Sequence, residues 1–356
     1  MSSLNLPGEN MTTNDSAATQ TTATTPTDDY LRLEHSNADH ARTFVVNWCL
    51  GNTCNYACSY CPDNLHDASK PWTSYEVAEG FARRVMEHYG PDRKYYFEFT
   101  GGEVSLWKDF LKLAEFLKSR GARVGMISNG SRSMDWWQKA RPLLDHVCMS
   151  FHPESALEKE DHFFEVAKFL SEGLRLHLNV MMSPEKFDAC YAVATRLKNI
   201  PNVSIAMQPL IVNFGSELYK YTPAQHHIMD KQYDLIVKHI KHTREFEYFR
   251  GAMQKVYSDG RRVSQAPHRF INNSQNNWAG WKCKVGLEQI VVDFDGKVFR
   301  GWCLVGDSLG HVADPDFKFP TEAITCTKTM CHCNFDIMAT KYRANAATAA
   351  ESGVSP

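Results

Sequence analysis

Short apolar runs alternate with amphipathic stretches from residue 43 onward, and the alternation predicts a regular succession of strands and helices. Thr43–Leu50 (TFVVNWCL) reads as a strand. In Ser74–Tyr89 the residues Val77, Phe81 and Val85 recur at i, i+4 and i+8, the spacing of one helix face. Thr73 with Glu76 three residues on resembles a capping box at its start. Tyr95–Thr100, Val124–Ser128, Val147–Phe151, Leu176–Met182 and Val203–Leu210 read as five further strands. Between and after them, Leu106–Arg120 (closed by Gly121), Met134–Leu144, His162–Leu174, Asp188–Asn199 and Ala224–Thr243 read as helices. Six strands each followed by a helix imply βαβ units, an α/β fold with a parallel sheet and right-handed crossovers. In such sheets the chemistry lies beyond the C-terminal strand ends.

Outside that stretch the pattern changes. Residues 1–40 are rich in Thr, Ser, Ala, Asn and Asp, which predicts a disordered tail too short and polar to fold as a peptide-binding domain. Residues 41–243 form the α/β unit. In 244–280, Arg250, Lys255, Arg261 and Arg262 interleave with Glu245, Glu247 and Asp259, the pattern of a solvated connector. Residues 281–340 form a separate unit in which Gln289–Phe294 and Lys297–Gly301 flank Asp295-Gly296, a strong hairpin signal. The Ala-rich residues 341–356 read as a flexible tail.

With 356 residues, 43% hydrophobic and 12% aromatic, the chain can bury a sizeable core. A formal net charge of -2 gives no electrostatic case for nucleic acid or an anionic membrane. No apolar run approaches the ~18 residues of a membrane span, and no basic segment followed by an apolar stretch opens the chain, so a cytoplasmic protein is expected. The eleven cysteines change this plain picture, because Cys54, Cys58 and Cys61 form one cluster and Cys326, Cys331 and Cys333 another. Tight clusters in such a chain point to metal rather than to disulfides.

The first cluster, CNYACSYC, spaces its cysteines C-x3-C-x2-C directly after the first strand. Soft thiolates suit iron–sulfur clusters or zinc. Zinc wants a fourth ligand, for which His66 is available. Three thiolates instead hold three corners of a four-iron cluster and leave one iron open. At the end of the second strand, FTGGE supplies Gly101, Gly102 and Glu103, where glycines let the backbone approach a ligand closely.

This pair of motifs resembles the signature of the radical S-adenosylmethionine (SAM) superfamily, and Tyr60 matches its aromatic position before the third cysteine. The resemblance covers roughly residues 43–215 and implies a partial (β/α)6 barrel. It implies a [4Fe–4S] cluster on Cys54, Cys58 and Cys61, with SAM chelated at the open iron. One-electron reduction, from a donor such as flavodoxin or ferredoxin, then yields methionine and a 5′-deoxyadenosyl radical that takes a hydrogen atom from substrate. It also implies cofactor contacts from Gly101, Gly102 and Glu103, from Ser128 and Asn129 (ISNGS), from Ser150 and His152 (MSFHPE) and from Gln208 (AMQPL). Each of the later residues reads equally as a loop residue satisfying local backbone.

The second cysteine set lies in WKCKVG…DFDGKVFRGWC…CTKTMCHC. A hairpin brings Cys283 and Cys303 together, and Cys326, Cys331 and Cys333 follow a loop. This resembles the SPASM/twitch auxiliary-cluster domains found after many radical SAM barrels. Five cysteines rather than about seven suit one auxiliary [4Fe–4S] cluster of the shorter kind. Cys283, Cys303 and Cys331 are the first choices, with Cys326 and Cys333 competing for the fourth place. A zinc knuckle using His311 or His332 is the competing reading. Cys49, Cys148 and Cys190 read as small buried hydrophobes.

The resemblance implies an oxidoreductase-type enzyme acting on a small hydroxylated or sugar-like metabolite, by oxidation, epimerisation or rearrangement. A ribosomal-peptide maturase and a non-catalytic iron–sulfur or zinc protein remain open beside it. No catalytic base follows from the sequence: Glu98, Glu154, Glu185 and Asp188 fall near strand ends, where charged residues are usually solvated.

Overall fold

The computed structural model describes residues 29–212, 217–230, 252–331 and 333–344. The parts of the expected tails in 1–28 and 345–356, the end of the expected last helix, residues 244–251 of the connector and His332 lie outside the described residues.

After a first strand β1 (Tyr30–His35), six parallel strands run in sequence order: β2 (Thr43–Cys49), β3 (Lys94–Thr100), β4 (Arg123–Ser128), β5 (His146–Phe151), β6 (Arg175–Met182) and β7 (Val203–Pro209). These six match the strands read from the sequence to within a residue or two. The short helix α1 (Ala38–Ala41) leads into β2. Between the strands lie α2 (Tyr75–Tyr89), α3 (Phe110–Ser119), α4 (Met134–Ala140), the single turn α5 (Pro153–Ala156), α6 (Glu160–Ser171) and α7 (Phe187–Leu197). α8 (Pro223–Asp230) follows β7. The start of α2 differs from expectation by one residue: Ser74, not Thr73, is the N-cap, and its side chain accepts from the Val77 amide.

Strands added in sequence order by right-handed crossovers carry their helices on one face. Alternate strand residues therefore divide cleanly. Phe44, Val46, Trp48, Phe97, Phe99, Val124, Met126, Val147, Met149, Leu178 and Val180 pack into the main core with the helices. Their neighbours Asn47, Glu98, His146, Cys148, His177 and Asn179 point to the other face. That inner face is polar, and it is the face a curling sheet would enclose.

The sheet extends past β2 as well. β11 (Gln289–Val292) pairs in parallel with β2, and β12 (Lys297–Phe299) and β13 (Gly310–His311) continue antiparallel to give nine strands. The expected Asp295-Gly296 hairpin thus forms between β11 and β12, but as an extension of the main sheet.

A second, antiparallel sheet is built from β1 together with β8 (Met253–Tyr257), β9 (Arg262–Gln265), β10 (Lys282–Cys283), β14 (Ile324–Thr325) and β15 (Lys341–Tyr342). Its order is β14-β10-β15-β1-β8-β9. Three expectations are corrected by it. Residues 30–35 are not a disordered tail: Tyr30 and Leu33 are buried with Met253, Phe270 and Trp278, and the Trp278 indole donates to the Tyr30 hydroxyl at 2.7 Å. Residues 253–265 are not a bare connector, since β8 pairs with both β1 and β9. Residues 341–342 are not a flexible tail, since β15 sits between β1 and β10. In each case a few apolar residues find partners far away in sequence, and a local pattern does not register them. No helix among the described residues is long and apolar enough to cross a membrane.

Candidate metal and cofactor sites

The loop after β2 carries Cys54, Cys58 and Cys61 and is pinned to the ends of three other strands. Gly101 and Gly102, after β3, have φ of +96° and +46°. A Cβ on Gly101 would lie 2.6 Å from the Gly51 carbonyl oxygen, and one on Gly102 2.2 Å from that of Thr53. Glycine is required because the cysteine loop itself presses against this turn. The Glu103 amide closes the contact by donating to the Thr53 carbonyl at 2.8 Å.

Glu103 is fully buried and joins the β3 and β4 ends. One carboxylate oxygen accepts from the Ser105 amide (3.1 Å), the Ser105 hydroxyl (2.5 Å) and the Ser128 hydroxyl (2.8 Å). The other accepts from the Asn129 amide at 2.6 Å. Burial pushes its pKa up, and these bonds work against that rise. Its carboxylate therefore acts on the frame of the site. The Asn129 side chain donates to the Asn55 side-chain oxygen (Oδ1) at 3.0 Å and reaches the Cys54 sulfur at 3.9 Å.

On the other flank, the Ser59 amide and hydroxyl donate to Glu154 at 2.7 and 2.6 Å. Glu154 is exposed, as expected, and it also clamps the cysteine loop through these two bonds. Tyr60 stacks on His152 with planes 9° apart, and its hydroxyl lies 2.9 Å from the imidazole Nδ1. Burial lowers the His152 pKa to about 4. The imidazole is neutral near pH 7, and its Nδ1 and the tyrosine hydroxyl share one hydrogen bond. Ser150 is buried on the inner face of β5, while Gln208 is half-buried on β7 with its amide toward the Pro209 carbonyl.

The three thiols fit a cluster by chemistry and placement. Cys58 is buried and Cys54 and Cys61 are half-buried, and burial raises Cys58 and Cys61 to about 11. The three are close enough that charge on one raises another. Among the described residues, no three His, Cys, Asp or Glu side chains converge as they would on a single metal ion. A four-iron cluster asks for a wider set, with each of three thiolates on its own iron. His66 meets the Cys61 carbonyl rather than the thiols.

In the second cysteine set, Cys283, Cys303, Cys326 and Cys331 line one recess. Asp336 beside it accepts from the Trp302 and Cys303 amides at 3.1 and 2.6 Å and from Gln289 at 3.1 Å, so it holds the Cys303 turn in place. Cys333 precedes the helical turn Asn334–Ile337 near Asp336, outside the lining of the recess but close enough to Cys303 and Cys331 for charge on one to raise another. His311 bonds to the Asp295 carbonyl, in the hairpin. The isolated Cys49, Cys148 and Cys190 are buried, as expected. Cys148 nevertheless lies on the polar face, where the Asn179 amide donates to its sulfur at 3.3 Å.

Sequence reasoning missed the inner face altogether. Glu98 is buried there, against expectation; it accepts from the Asn47 amide at 2.8 Å and from the Tyr96 hydroxyl at 3.4 Å. Burial pushes its pKa up to about 7. His146 lies 3.8 Å from it, but burial lowers that imidazole to about 3, so the two do not form an ion pair near neutrality. His177 bonds to Ser204 and Asn179 at 2.7 and 3.0 Å. The polar residues at alternate strand positions were the available signal.

Residues 48–168 match the family model described as the radical SAM superfamily, a span of roughly a third of the chain. Among solved structures, the chain is similar to native anSMEcpe with bound AdoMet, at 19% identity and a TM-score of 0.49, over 76% of this chain and 78% of that one. It is also similar to Streptococcus suis SuiB bound to S-adenosylmethionine, at 13% identity and TM-score 0.47, over 77% of this chain and 64% of that one. A third is BtrN in complex with AdoMet and 2-DOIA, at 11% identity and TM-score 0.39, over 76% and 78%. No curated protein matches the chain.

Proposed function

We propose that this protein is a radical SAM enzyme with one auxiliary [4Fe–4S] cluster, acting on a small hydroxylated or sugar-like metabolite. The observation that carries the reading is the joining of the Cys54/Cys58/Cys61 loop to the Gly101-Gly102-Glu103 turn, inside the span that matches the family. Cys54, Cys58 and Cys61 would hold the first cluster, and Cys283, Cys303, Cys326 and Cys331 the second. The first cluster, when bound, supplies one-electron reductive cleavage of S-adenosylmethionine and hence the hydrogen-abstracting species.

The chain's own residues do the rest. Glu103 fixes the strand end that carries Ser128 and Asn129, and so holds the Asn129 side chain beside Cys54. Tyr60, stacked on neutral His152, hydrogen-bonds to Cys58 and so braces the second cysteine. On the inner face, Asn47, Glu98, His146, His177 and Asn179 offer donors and acceptors suited to hydroxyl groups. Glu98, with a pKa of about 7, is placed to take a proton from a bound alcohol near neutral pH. This polar lining favours a small polar substrate over a peptide.

Anaerobic reconstitution with iron, sulfide and SAM cleavage measured per chain tests the reading. Two clusters and deoxyadenosine release are expected. Cys58→Ala should abolish cleavage, whereas Cys303→Ala should leave uncoupled cleavage without product. A colourless protein loaded with zinc would overturn the proposal, and mass loss from an added precursor peptide would move the substrate to the peptide class.

A further inference from the structure

Lys341 opens β15, and although it is a lysine it is only 2% exposed. Its ammonium donates to the carbonyl oxygens of Asp336, Ile337 and Ala339 at 2.7, 3.1 and 2.8 Å. Three donors meet three acceptors, so its hydrogen bonding is complete. Every one of these acceptors is neutral. The Trp278 ring face, 4.8 Å away, adds a weak attraction. A buried cation is costly unless negative charge answers it.

The two buried carboxylates nearby are committed elsewhere. Asp336 is turned to the Trp302 and Cys303 amides, and Glu288 to the Thr340 amide (2.9 Å) and His35 (3.5 Å). What Lys341 does share is the recess lined by Cys283, Cys303, Cys326 and Cys331. Across the strand pair β10–β15 it also stands directly opposite Cys283. The lysine is thus built in as a buried cation beside the four-cysteine recess, held by the carbonyl cage.

We infer that Lys341 is the resident counter-charge of the four-cysteine recess and raises the reduction potential of the cluster held there. The inference rests on the proposed auxiliary cluster. An electron entering a four-thiolate cluster adds one negative charge, and a nearby cation in a low-dielectric setting favours that form. Lys341 acts through the cluster, so it is a positioning and tuning residue. Its effect is to make the auxiliary site a better electron acceptor.

The test is an EPR-monitored redox titration of the full chain after anaerobic reconstitution, with Cys54, Cys58 and Cys61 changed to Ala so that only the C-terminal cluster reports. Lys341→Met should keep its iron and shift the reduction equilibrium at least tenfold toward the oxidised form, which is about 59 mV for a one-electron couple. Lys341→Arg should stay within that interval of the parent. If Lys341→Met loses iron, Lys341→Gln, which keeps a donor without the charge, carries the same comparison. An unchanged midpoint in an iron-replete neutral variant, or an equal shift in Lys341→Arg, overturns the inference. A parent protein that binds no C-terminal iron overturns the auxiliary-cluster reading itself, a distinct result.

Discussion

The Trp302 indole donates a 3.1 Å hydrogen bond to the side-chain oxygen of Asn47, although 255 positions separate them. Trp302 directly precedes Cys303, and Asn47 donates in turn to Glu98. A polar chain thus links the turn that carries a proposed cluster ligand to the carboxyl on the inner face of the main sheet.

That link makes Glu98 a measurable reporter. Its pKa is about 7 in the folded protein against an ordinary 4.5, so the folded state binds the proton more tightly. Stability contributed by the protonated form is full below about pH 4.5 and is lost as pH rises to about 7, roughly 3 kcal/mol in all. Glu98→Gln should flatten this dependence, and thermal unfolding at pH 5 and pH 8 should show the variant gaining on the parent at pH 8. Asn47→Ala, which removes a bond to the carboxylate, should move the parent's transition to higher pH. Identical pH profiles for all three proteins would show that Glu98 is not the buried acid described.

The Gly102 position tolerates no side chain, because a Cβ there meets the Thr53 carbonyl at 2.2 Å in a backbone of positive φ. Gly102→Ala should lower stability by about 2–3 kcal/mol or more and cost the protein the iron of its first cluster. Gly80→Ala is the control, since nothing lies within 4 Å of its Cβ in helix α2. It should raise stability by up to about 1 kcal/mol. Urea unfolding and iron per chain measure both.

Glu103→Gln probes the frame of the same site. Four donors converge on a carboxylate, and an amide must turn its own N–H groups toward some of them. The expected cost is about 2–3 kcal/mol, read by urea unfolding. A neutral outcome would mean that Ser128 and Asn129 do not depend on this residue for their placement.

The recess assigns the C-terminal cysteines differently from one another. Reconstituted parent should hold about eight iron atoms per chain. Cys333→Ser should keep that number, because Cys333 lies outside the recess, while Cys326→Ser should lose about half of it. The reverse pattern would exchange their roles.

Much of this architecture was legible in the chain. Period-two apolar runs separated by period-3.6 segments placed β2 to β7 and their helices, because each element buries its own face locally. C-x3-C-x2-C and GGE could be read because metal and cofactor chemistry constrains residue type at short spacing. The second sheet was not legible. β1, β8 and β15 each supply only a few buried residues, and those residues are answered by partners hundreds of positions away.

By itself, then, the sequence determined the parallel strands, the two cysteine sets and the turn that meets the first of them. Only the tertiary structure decided that Glu98 is a buried acid, that Cys326 rather than Cys333 lines the recess, and that Lys341 lies buried beside it. The physical reason is the same in each case. Ionisation and ligation depend on which groups surround an atom in space, and here those groups come from strands that chain order does not bring together.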